Sequence, residues 1–157
     1  MIGNIKIIAV CMCKVYDERN YRIIRALNNF AVENDYRLFV YHTCSDLYWK
    51  TLSEKGEQSV FDLIDYNITD AVVTFEEGVY AENVMTKIRM DAAKYGKPVI
   101  SVGVEHDDCI SIKFGYAKGF EQVVRHVIEQ HGVRDIGFIA GRKDEENSEE
   151  RIAVFRK

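Results

Sequence analysis

The run Ile5-Lys6-Ile7-Ile8-Ala9-Val10-Cys11 decides the fold. It is short, almost continuously apolar and rich in β-branched side chains. Alternate side chains of a strand point to opposite sides, so such a run fits a strand that meets water on neither face. Runs of the same kind recur at residues 37–42, 71–75 and 98–102, followed by a shorter one at 109–112 and a last one at 136–140.

Between these runs the period changes from two to 3.6. Ile23, Ile24, Leu27, Phe30 and Ala31 make one apolar stripe, with Arg22, Arg25, Asn28 and Asn29 on the other side. Val60, Phe61, Leu63 and Ile64 open a second stripe, and Val84, Ile88, Ala92 and Ala93 a third. A fourth covers 117–130 with Phe120, Val123, Val124, Val127 and Ile128 inward, and Asn147 to Arg151 begins a last helix with Ser148 as its N-cap. Alternating strands and helices of these lengths predict an α/β fold, a doubly wound parallel sheet with right-handed crossovers and helices on both faces.

At 157 residues, with 47% hydrophobic and 29% charged side chains, the chain can bury a sizeable core. A net charge of -4 disfavours a polyanion-binding surface, so direct contact with nucleic acid is not expected. The apolar start is too short for a membrane span and lacks the basic flank and cleavage site of a secretory signal, so the expected location is cytoplasmic, with no membrane partner. Cys11, Cys13, Cys44 and Cys109 contain no C-x-x-C pair and are read as free thiols, Cys11 and Cys13 on one face of a strand.

Several chemistries lack their residues. Met12-Cys13-Lys14-Val15-Tyr16-Asp17 follows the first strand where a dinucleotide site needs G-x-G-x-x-G, and neither a phosphate-binding loop nor a G-x-S-x-G elbow occurs. His126 and His131, five apart, are expected on different helix faces, and His106-Asp107-Asp108 reads as a solvated loop, so neither metal nor cofactor is expected.

Position supplies the remaining candidates. Open parallel sheets bind ligands beyond the carboxyl ends of their strands. Those ends carry Lys14, Tyr16 and Asp17, then Thr43, Ser45 and Asp46, then Glu76 and Glu77, then Gly103. Carboxylates, hydroxyls and tyrosine rings suit a small polyhydroxylated or amine-bearing ligand through hydrogen bonds and stacking; equally, they suit ordinary solvated loops.

These segments resemble the effector-binding domain of the lac-repressor and galactose-repressor family, which is similar to the periplasmic sugar-binding proteins. Asn20-Tyr21-Arg22-Ile23-Ile24-Arg25-Ala26-Leu27 resembles its first helix, Glu33-Asn34-Asp35-Tyr36-Arg37-Leu38 its entry to the second strand, and Tyr95-Gly96-Lys97-Pro98-Val99-Ile100 its fourth strand. The stretch from His126 to Gly141, followed by Ser148-x-x-Arg151 and Phe155, resembles its "H-L-I-x-x-G-H-R-x-I-x-F-I-x-G … S-x-x-R-x-x-G-F", with Val154 in place of the glycine. The extra residue at His131-Gly132 is similar to a branch fused to diguanylate cyclase (GGDEF) or other signalling domains, a branch in which no helix-turn-helix is expected before the sensor.

The resemblance implies a two-lobed clamp of type I: residues 1–114 as the amino-terminal lobe and 115–157 as the truncated start of the second. It further implies an output domain on another part of the polypeptide and a homodimer. Strand-end position and the resemblance together give the ligand-binding candidates Tyr16, Asp17, Asn20, Tyr21, Ser45, Asp46, Glu76 and Arg151, the arginine because the family's equivalent holds the effector. The implied ligand is a small polar molecule such as a sugar or nucleoside. The expected function is sensing by lobe closure, not catalysis. The competing readings are a dimerisation module with a degenerate site and a small α/β enzyme using Glu76 or Asp17 as base with Tyr16.

Overall fold

The computed structural model describes residues 5–143 and 145–157. Strand β1 (Lys6–Cys13) pairs along its full length with β2 (Tyr36–Thr43) and over Ile8–Cys11 with β3 (Ala71–Phe75); β4 (Val99–Val102) and β5 (Ile110–Ile112) extend the sheet beyond β3. All pairings are parallel, in the order β2-β1-β3-β4-β5. The expected doubly wound α/β sheet is therefore present, and β1 sits inside it with Ala9 to Met12 at most 1% exposed.

The chain leaves β1 outward to β2 and then returns across β1 to β3. With right-handed crossovers, α1 (Glu18–Glu33) lies on one face, and α2 (Leu52–Gln58) and α3 (Glu82–Lys94) on the other. The second face holds the main core: Ala9, Cys11, Cys13 and Val72 of the strands pack with Phe61 and Ile64, and with Met85, Ile88 and Ala92 of α3. Cys11 and Cys13 share this face and are free, as expected. Burial pushes the Cys13 thiol up to about 11 and Cys11 further still, so neither is a nucleophile at neutral pH.

Three local expectations need correction. The second helix begins eight residues earlier than the stripe at Val60 suggested. Thr51 caps its N-terminus by accepting from the Glu54 N–H at 3.2 Å while Glu54 accepts from the Thr51 N–H at 2.9 Å, and Ser59–Leu63 follow as a 3-10 turn. Residues 136–140 form no regular element and belong to no sheet. Ile136 and Phe138 turn inward and Ile139 is 97% exposed, so the alternation of a strand is present without a partner to form a ladder. Finally, α5 (Glu146–Phe155) takes Glu145 as its N-cap; Ser148, fully buried, donates from Oγ to the Glu145 carboxylate at 2.8 Å.

The chain divides into two compact units, 1–113 and 114–157. In the second, the rings of Phe120, Phe138 and Phe155 meet at tilted angles with centroid distances of 5.0 and 5.1 Å, joining α4 (Tyr116–His131), the segment 136–140 and α5. No residue of α4 is buried, against the inward face expected for it: Val123 and Ile128 are about half exposed or more, because this apolar stripe outruns the surface that α5 offers.

One polar cluster lies inside the first unit. Glu76 and Arg89, both nearly fully buried, form a two-oxygen ion pair at 3.0 Å, and Thr74 and His106 complete the Glu76 carboxylate at 2.7 and 2.9 Å. Removing one member strands the other's charge away from water. Arg89→Met should lower unfolding stability by about 3–5 kcal/mol, while Glu76→Leu in the same chain should recover at least half of that loss, both read from urea unfolding midpoints. The Thr51→Ala substitution should cost about 1 kcal/mol on the same assay, through loss of the α2 cap.

Candidate functional site

In the order β2-β1-β3-β4-β5 the winding direction reverses at β1, so the connections that leave β1 and β3 run to opposite faces and open a crevice at the carboxyl ends. Four loops surround it: 14–17 after β1, 44–51 after β2, 76–81 after β3 and 103–109 after β4.

The first two loops are tied together. Lys14 donates to Asp46 Oδ2 at 3.0 Å, and the Tyr16 hydroxyl donates to the Cys44 carbonyl at 2.7 Å while its ring meets His42 edge-on. Partial burial opposes ionisation of Asp46, but the Lys14 hydrogen bond and charge outweigh it and hold the carboxyl below its ordinary range; the same bond holds the Lys14 ammonium above its own. Glu57 of α2 receives the N–H groups of Cys44 and Ser45 at 2.8 and 2.9 Å and the Ser45 hydroxyl at 3.1 Å, so a single carboxylate holds the turn out of β2.

The 44–51 loop then carries the aromatic side chains. Tyr48 meets Trp49 edge-on at 4.7 Å and Tyr80 of the third loop at 5.1 Å, and the Tyr80 N–H donates to the Asp46 carbonyl at 3.0 Å. Trp49 is 76% exposed, whereas Leu47, two residues earlier, is wholly buried and anchors the loop. Lys14, Leu47 and Lys50 all have positive φ, at 48°, 62° and 55°, a conformation that costs a side-chain-bearing residue energy and persists where packing imposes it. At the fourth loop Gly103, with φ 102°, passes so close to Glu77 that an added Cβ would sit 2.6 Å from the Glu77 Cβ.

The expected site residues divide into groups. Tyr16, Asp17, Asn20, Tyr21, Ser45 and Asp46 come together on the adjoining β1 and β2 loops and the start of α1. Tyr16 and Tyr21 are more than half exposed, and Asp17 is the N-cap of α1 without a side-chain cap bond. Asn20 turns inward, donating to the Cys13 and Lys14 carbonyls at 3.0 and 3.1 Å. Glu76 is withdrawn beneath the crevice in its bond to Arg89. His106, read as part of a solvated loop, is half-buried against Glu76. Arg151 lies in the second unit, with Nε donating to the Asn147 carbonyl at 2.9 Å. Sequence reasoning missed Tyr48, Trp49, Tyr80, Arg19 and Glu57. An exposed tryptophan in the loop after the second strand was the available signal; the Arg19–Glu77 ion pair, 58 residues apart, had none.

No family model matches the sequence, and a comparison with curated proteins finds no match. Solved structures do match. The lac repressor dimer bound to operator and the anti-inducer ONPF aligns over 98% of this chain and 44% of its own, at 12% identity and a TM-score of 0.66. A LacI family regulator from Weissella paramesenteroides with bound glucose aligns over 96% and 52%, at 15% and 0.67. A periplasmic binding protein/LacI regulator from Alkaliphilus metalliredigens complexed with D-xylulofuranose aligns over 96% and 51%, at 18% and 0.66. The chain thus spans about half the length of these proteins. Its fold is the α/β fold of the LacI-type and periplasmic-binding-protein-like domains.

Proposed function

We propose that this chain is part of a non-enzymatic small-molecule sensor domain, and that the ligand sits against the loops at the carboxyl ends of β1, β2 and β3. The observation that carries the reading is the aromatic group Tyr48–Trp49–Tyr80, joined to the Lys14–Asp46 pair through the Asp46 backbone, with an indole left open to water at a loop held by buried Leu47. A ring face beside fixed hydrogen-bonding groups is the arrangement that recognises a sugar or nucleoside, whose one side is apolar and whose edge is polar. The sugars named for the Weissella and Alkaliphilus structures favour the same class.

In this proposal residues 1–114 form the amino-terminal lobe and 115–157 the first elements of a second, from which Arg151 reaches the ligand when the lobes close. Ligand binding to both lobes stabilises the closed arrangement, and an attached output domain reads that shift; diguanylate cyclase is one candidate output. The working form is a cytoplasmic homodimer without direct nucleic-acid contact. Among the described residues no helix is long and apolar enough to cross a membrane.

The competing reading, a dimerisation module with a degenerate site, also has an observation in its favour. Lys14 with Asp46, Arg19 with Glu77 and Arg89 with Glu76 already satisfy one another, leaving the crevice self-contained.

Trp49 is the sole tryptophan and a direct reporter. Titrating neutral sugars and nucleosides into the chain should shield its fluorescence from acrylamide, with saturation for the recognised class. By calorimetry Trp49→Ala should weaken that binding about tenfold, the worth of one stacking contact. Full accessibility of Trp49 to quencher with every compound at millimolar concentration would establish the degenerate module instead. In a chain extended through the second lobe, Arg151→Ala should weaken the same ligand by at least about tenfold, as loss of a charge-assisted hydrogen bond does.

A further inference from the structure

The two histidines whose spacing assigned them to different faces of α4 meet at its end. His126 Nε2 lies 3.2 Å from His131 Nε2, with the rings 5.0 Å apart and nearly perpendicular. Helix termination explains it. His131 is the last helical residue, Gly132 turns the chain away at φ 65°, and helical side chains lean toward the N-terminus, which brings the His131 ring back over the preceding turn.

Two neutral imidazoles at this separation share one proton, donated by one Nε2 to the lone pair of the other. We propose that a divalent transition ion takes that position, the proton moving through solvent to Nδ1 of its own ring, so that both Nε2 lone pairs make His126 and His131 a two-imidazole chelate for zinc, nickel or copper.

The separation fits a chelate. With metal–nitrogen bonds of about 2.05 Å, nitrogens 3.2 Å apart subtend about 103° at the metal, between the right angle of an octahedral site and the tetrahedral angle. Both rings are exposed, so an ion enters from solvent. The field also favours a cation. The carbonyl end of α4 carries the negative pole of the helix, and Arg125 is flanked by Glu121 and Glu129, both at 3.2 Å, so the adjacent charges sum to an excess carboxylate. Imidazole nitrogen selects the later first-row ions and zinc over magnesium and calcium, which take oxygen ligands. Among the described residues no third histidine, cysteine or carboxylate joins the pair, so water completes the coordination and the affinity is that of a two-ligand site.

The test is a zinc titration of the nitrogen-15-labelled chain, followed by the imidazole nitrogen resonances. The Nε2 signals of His126 and His131 should move together, at one zinc per chain, with His42 and His106 unmoved and with magnesium producing no shift. His131→Gln should weaken binding at His126 by at least about tenfold, the loss expected when a chelate becomes a single ligand. Both residues are solvent-exposed, and an unchanged circular dichroism spectrum will show that the variant folds. Independent movement of the two histidines, unchanged zinc affinity in His131→Gln, or no shift at millimolar zinc would each overturn the chelate.

Discussion

Everything in the first unit depends on β1 being covered on both faces. A strand that buries Val10 and Met12 on one side and Ala9, Cys11 and Cys13 on the other cannot stand at the edge of a sheet, and it needs helices above and below. Parallel neighbours joined by right-handed crossovers meet that need. The chain then has to reverse its winding about β1, with β2 on one flank and β3 on the other. The reversal creates the crevice. The site is a topological consequence of how the apolar run Ile7–Cys11 is buried.

The loops around that crevice are held by compensation of charge rather than by apolar packing alone. Glu57 gathers two backbone N–H groups and a hydroxyl, Lys14 meets Asp46, and Arg89 meets Glu76 under cover. Each bond joins two different elements, so the loops are held in one arrangement before anything binds. Positive φ at Lys14, Leu47 and Lys50 belongs to the same picture: the backbone strain is local, and the buried Leu47 and the Lys14–Asp46 bond maintain it. Preorganisation of this kind reduces the ordering cost of binding.

The sheet was legible in the sequence because period two and period 3.6 differ over a few residues, and five of six apolar runs became strands at nearly their expected limits. The sixth, 136–140, has the alternation of a strand and lacks only a neighbour, which no local pattern can report. The stripe at Val60 misplaced the second helix, because a Thr51–Glu54 capping box outweighed hydrophobic spacing and Val60 and Phe61 were taken into a 3-10 turn. Strand-end position singled out the β1 and β2 loops, which the parallel pairing of β1 and β2 sets side by side. It could not separate Asp46, which faces the crevice loops, from Glu76, whose partner Arg89 sits thirteen residues away on the next helix. Counting residues along an ideal helix also failed at His131, where the helix stops and the side chain is free to fold back.

The charges at the crevice bear on what it would hold. Lys14 and Asp46, Arg19 and Glu77, and Arg89 and Glu76 cancel in pairs, while Asp17, Glu57, Glu105, Asp107 and Asp108 against Lys50 leave the loops with an excess of carboxylate. An anionic ligand such as a carboxylate would have to displace one of these carboxylates from its cation and meet the excess negative charge, at the added cost of its own desolvation. A neutral ligand does not. Hydroxyl groups can donate to the free lone pairs of Asp46 and accept from Lys14 while that pair stays intact, since each group retains unused hydrogen-bonding capacity. The exposed face of Trp49 then supplies the apolar contact that hydroxyl exchange with water cannot, because swapping one set of hydrogen bonds for another contributes little net free energy. Neutral polyols with one apolar face therefore suit these loops better than anions such as phosphates.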